Sequence, residues 1–91
     1  MNESKQNEAI EKFLKNPYWK GIYDKASEAA KSYYKVLFAA SLGVIEGDEK
    51  KESFKSAYKG LSQDDWDYVI GHAENKMAKW GLEQAKKKYS T

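Results

Sequence analysis

The chain has no cysteine. That absence excludes disulfide scaffolds, thiolate zinc sites and cysteine nucleophiles. It has no arginine either, since all sixteen of its basic residues are lysine. The side chain best suited to bidentate grip on phosphate or carboxylate is therefore missing. One histidine, His72, leaves no room for His-pair chemistry or a His-rich metal site. A single proline, Pro17, and six glycines are too few for a loop-rich or low-complexity chain. Long apolar runs are absent too: the longest, 36–45, is broken by Ser41 and Gly43. It is about half of the roughly 20 residues needed to span a bilayer. The first residues are polar and lack the apolar core of a signal peptide. The expectation is a complete small gene product, cytoplasmic, with no membrane insertion.

What remains is a chain of 91 residues with 41% hydrophobic and 14% aromatic content and a mean hydropathy of −0.90. That length fits one domain, 1–91, able to bury a modest core. Helical periodicity runs from end to end, with no alternating strand pattern and no internal repeat. Ala9, Ile10, Phe13 and Leu14 make a narrow stripe over 3–15. Asn16-Pro17 is a break and restart, an N-cap followed by a proline at the first helical position. Ile22, Ala26, Ala29, Tyr33, Leu37 and Ala40 then recur at steps of three and four. Beside them run Tyr23, Ala30, Tyr34 and Phe38. One helix over 17–42 would be about 39 Å long, apolar nearly all round past Ser32, and therefore central. Gly43 or Gly47 ends it, and Val44-Ile45 either plug the core from the loop or continue the helix. Asp48 caps a short third helix over 49–59 that closes at Gly60. Ser62 and Asp65 form a near capping box for a fourth helix over 63–88.

The predicted fold is thus all-α: a small single-domain four-helix bundle with a long central second helix and a short third one. Its expected core is Ile10, Phe13, Leu14, Ile22, Ala26, Leu37 and Phe54, with Tyr58, Trp66, Ile70, Ala73, Met77 and Trp80.

Site chemistry is sparse. His72 has no convergent ligand at helical spacing and is read as stacked against Tyr68. Asp64, Asp65 and Asp67 sit where acids stabilise a helix N-terminus, not in a calcium loop. There is no Gly-rich phosphate loop, nucleophile elbow or HExxH, so neither an enzyme nor a cofactor is expected. Lysines and acids balance along the chain, with an excess only from Lys20, Lys25, Lys31 and Lys35. This makes nucleic-acid binding the third reading.

The surplus is aromatic: seven Tyr, three Trp and three Phe. Neighbours such as Tyr33 and Tyr34 point about 100° apart on a helix, so four helices leave some of this surface outside. The leading expectation is a non-catalytic protein-binding module that meets its partner through Tyr18, Trp19, Tyr23 and Tyr68. A homodimer through the apolar residues of 33–45, Tyr33 and Ile45 included, is a further possibility. The alternative is a carrier of a small apolar ligand, with a pocket lined by Tyr33, Tyr34 and Phe38 and Lys35 at its mouth.

In size, lysine content and expected helix number, the chain resembles the small immunity proteins that Gram-positive bacteria make alongside bacteriocins. That resemblance implies a cytosolic protein that binds a partner, as phage or plasmid accessory proteins and regulators do. With its short third helix and its ending Lys86-Lys87-Lys88-Tyr89, it also resembles the acyl-CoA-binding proteins in architecture. Their Tyr-Lys-Gln-Ala-Thr stretch appears here only as Tyr34-Lys35, followed by Val36-Leu37-Phe38. Their Lys-Trp signature on the third helix is missing, with Phe54 nearest to it.

Overall fold

Residues 3–90 are described by the computed structural model, and among them six helices and no strand are found. Met1, Asn2 and Thr91, which the sequence reading places in the same domain, lie outside the described residues. The helices are α1 (Glu3–Leu14), α2 (Pro17–Asp24), α3 (Glu28–Ser41), α4 (Gly47–Lys59), α5 (Gln63–Gly71) and α6 (Lys76–Tyr89). The all-α class holds, but the four-helix count does not. Two of the four expected helices are each broken in two.

The break inside 17–42 is made by Ser27. Its backbone is extended, and its Oγ accepts the Ala30 N–H at 3.1 Å, satisfying a free donor of α3. The break inside 63–88 is made by Asn75, which accepts the Ala78 N–H at 2.8 Å. The expected caps at Asn16 and Ser62 form, the latter as a full capping box with Asp65. The expected cap at Asp48 does not. Glu46 holds the cap position without a side-chain bond, and Asp48 lies in the first turn of α4.

The end of α3 explains how the loop reaches the core. The Gly43 N–H bonds to the Ala40 carbonyl at 3.1 Å and the Val44 N–H to the Ala39 carbonyl at 2.9 Å. This Schellman pattern needs a left-handed residue, and Gly43 supplies it at φ 73°. The chain is thereby turned so that Ile45 is buried, as the plug reading expects.

α3 is the central element, packing against α1, α2, α4 and α5. It buries Ala30, Tyr33, Tyr34 and Phe38, spaced at i, i+3, i+4 and i+8. Phe13 stacks on Phe38 with ring centroids 4.4 Å apart, and Tyr58 stacks on the fully buried Trp66 at 5.5 Å. Burying a side chain such as Phe38 contributes about 1.5–3 kcal/mol. The radius of gyration is 12.5 Å, close to the roughly 12 Å of a well-packed chain of this length.

Most of the expected core is buried or half-buried against this cluster. Met77 and Trp80 are the exceptions, 81% and 63% exposed. Once α6 restarts at Asn75, its inward stripe is Ala78, Leu82, Ala85 and Tyr89, and the register of α5 no longer applies.

Candidate functional site

A cleft of about 280 Å³ lies where α3 and α4 face the junction of α5 and α6. Helix α3 contributes Tyr33, Tyr34 and Leu37 to its wall, α4 contributes Phe54 and Tyr58, and α2 contributes Trp19. Val69 of α5 and Leu82 of α6 complete the apolar surface. The rim is formed by the exposed residues His72, Glu74 and Gly81.

This cleft contains Tyr33 and Tyr34, as the carrier reading expects, but neither Phe38 nor Lys35. Phe38 is fully buried among Phe13, Trp19 and Tyr34. Lys35 borders a different, open groove between α3 and α4. Among the described residues lining the cleft, Glu74 is the one acid and no lysine occurs.

Two features of the wall are polar. His72 Nδ1 donates to the Tyr68 carbonyl at 2.8 Å, and its ring packs 4.3 Å from that of Tyr68, the expected neighbour, tilted by 39° and not stacked. With Nδ1 committed, Nε2 is the ring nitrogen left open. Tyr34 lies in the wall at 2% exposure, and its hydroxyl has no hydrogen-bond partner. Burial raises the phenol pKa of both Tyr33 and Tyr34, so both stay neutral far into the alkaline range. The arrangement can bind and orient a molecule. No group of three His, Asp or Glu side chains converges for a metal among the described residues.

The four aromatic residues singled out from the sequence all gather around α2. Tyr18 is 53% exposed, its ring edge-on to Trp19 at 5.2 Å. Trp19 is half-buried against Phe13, Tyr34 and Phe38. Tyr23 is half-buried with the Lys31 ammonium 5.6 Å from its ring centre. Tyr68 is half-buried, and its hydroxyl donates to the Ile22 carbonyl, tying α5 to α2. Two of the four lysines of 17–42 face acids: Lys20 pairs with Asp24 at 2.9 Å and Lys31 with Glu28 at 4.0 Å.

Sequence reasoning missed α6 as a surface. Its signal was Asn75, a cap residue that resets the helical register and turns Met77 and Trp80 outward. Of the apolar residues of 33–45, Tyr33, Tyr34, Phe38, Ala39 and Ile45 are buried within the single chain, and Leu42 is exposed. No helix of the described residues is long and apolar enough to cross a membrane. In comparison with known proteins, the chain matches no family model, no curated protein and no solved structure.

Proposed function

We propose that this protein is a non-catalytic binding module that recognises a protein partner through exposed apolar and aromatic surface. The observation that carries the reading is the pair Met77 and Trp80, three residues apart on α6 and the most exposed large apolar side chains among the described residues. Trp and Met are enriched at protein interfaces, and Trp is a frequent hot-spot residue. Tyr18, edge-on to Trp19, with Tyr23 on the same helix and Tyr68 tied to it from α5, offers a second aromatic surface.

The test is site-specific photo-crosslinking in the native host. A photoreactive amino acid replaces Trp80 in one variant, Tyr18 in a second and the exposed Lys51 in a third. An adduct of defined mass at position 80 or 18, absent at 51, supports the reading. Equal or absent adducts at all three positions end it. A defined adduct of twice the chain mass identifies the partner as a second copy.

The carrier of a small apolar ligand remains a second reading, supported by the aromatic cleft. Its volume lies near the lower end of the range for ligand pockets, about 300–1,000 Å³.

A further inference from the structure

Three properties of the cleft bear on what it holds. The first is size. An apolar cavity of about 150 Å³ accepts benzene. A cleft of about 280 Å³ has room for a fused bicyclic ring with a short side chain.

The second is charge. The chain carries sixteen lysines, yet none borders this cleft, whereas Glu74 stands at its rim. A carboxylate or phosphate ligand finds no lysine here and meets Glu74 instead. A cation finds a carboxylate at the rim and aromatic rings in the wall, among them Trp19, Tyr33 and Tyr58.

The third is an unmet polar group. Nε2 of His72 is open at the rim, since Nδ1 donates to the Tyr68 carbonyl. A ligand with one hydrogen-bonding group on its ring, such as an indole N–H, has an acceptor there.

We propose that the cleft is a binding site for an arylalkylamine: a flat aromatic ring held among the aromatic walls, with its ammonium group at the Glu74 carboxylate. The proposal rests on the carrier reading and deepens it by naming the ligand class. It separates this cleft from carriers of acyl chains with anionic heads, which need basic side chains at the mouth.

Three probes of one shape test it: tryptamine, tryptophol and indole-3-propionate. They share the ring and chain and differ in a positive, neutral or negative end. Binding is read on the full chain by NMR titration, following the Trp19 indole N–H and the His72 ring. Tryptamine is expected to bind about fivefold more tightly than tryptophol, the size of a rim-exposed ion pair assisted by a cation–π contact. Indole-3-propionate is expected to be the weakest. Glu74→Gln is expected to erase the difference between amine and alcohol while leaving the alcohol unchanged.

Gly81→Leu supplies the control for location. A Cβ at Gly81 meets no atom within 4 Å, so there is room for a side chain where the glycine borders the cleft, and a thermal melt of the variant checks that it folds. The substitution is expected to weaken all three probes at least tenfold. Equal binding of acid and amine overturns the ligand class and leaves the carrier reading standing. No shift at Trp19 or His72 with any probe overturns both. Undiminished binding in Gly81→Leu places the probe elsewhere and overturns the site.

Discussion

Ser27 and Asp65, 38 residues apart, are joined by a hydrogen bond of 2.5 Å from the Ser27 hydroxyl to Oδ1 of the carboxylate. Each residue caps a helix. Ser27 Oγ accepts the Ala30 N–H at the start of α3. Asp65 Oδ2 accepts the Ser62 N–H at 3.1 Å, and the Asp65 N–H donates to Ser62 Oγ at 3.2 Å at the start of α5. One carboxylate thus links two helix N-termini, and the break at Ser27 is anchored to the capping box of another helix.

Losing either cap alone is expected to cost about 1–2 kcal/mol. In Ser27→Ala with Asp65→Ala, urea denaturation is expected to give a combined loss smaller than the sum, by about 0.5 kcal/mol or more. Strict additivity would show that the two caps act separately. The same bond sets an acid dependence. The Ser27 hydroxyl, with the Ser62 bonds behind it, holds the Asp65 carboxyl below its ordinary pKa. A lowered folded value stabilises above the unfolded pKa of about 4 and is lost as pH falls through the folded value. Wild type is therefore expected to lose more stability than Asp65→Asn between about pH 4 and pH 2.

The same two residues show how the fold was and was not legible. Ser62 and Asp65 stand at the edge of an apolar pattern, where a capping box is easily read, and so does Asn16-Pro17. Ser27 and Asn75 stand inside patterns that run on across them. Ala26 is buried in the connection after α2 and Ala30 in the first turn of α3, so the steps of three and four survive the break. Periodicity measures which residues turn inward and says little about a reset of the helix axis between them. Trp80 was misplaced for that reason alone. The cleft was half legible, since Tyr33 and Tyr34 lie on a helix wrapped by its neighbours. Two of its rim residues, His72 and Glu74, come from the connection between α5 and α6, which a continuous helix would not possess.

Tyr34 yields a prediction of the same sign at neutral and alkaline pH, larger at the alkaline end. Its hydroxyl is buried without a partner, which costs free energy in the folded state. Tyr34→Phe is therefore expected to be neutral at pH 7 or to gain up to about 1 kcal/mol. In wild type, burial raises the Tyr33 and Tyr34 phenols above their unfolded pKa of about 10. That contribution is complete below about pH 10 and is lost as pH rises toward the folded value. Denaturation followed between pH 9 and pH 12 is expected to show a smaller loss in Tyr34→Phe than in wild type. An equal loss would place the Tyr34 hydroxyl in contact with water.

Gly43 and Gly81 are expected to answer substitution by alanine in opposite directions. Gly43 closes α3 at φ 73°, a conformation that costs an L-residue roughly 1–2 kcal/mol. Gly81 lies within α6 at a helical φ, and an added Cβ there meets nothing within 4 Å. Gly81→Ala is expected to gain about 0.5–1 kcal/mol, and Gly43→Ala to lose about 1–2 kcal/mol, in the same urea assay. The gain at Gly81 has a functional meaning. A glycine in the interior of α6 weakens the helix, yet at this position it leaves the rim of the cleft without a side chain. If Gly81→Ala is more stable while larger residues there block the amine probes, the glycine keeps the cleft open at the expense of helix stability. If Gly81→Ala is destabilised, α6 packs more closely at this point than described, and the opening beside Glu74 is narrower than the proposed ligand requires.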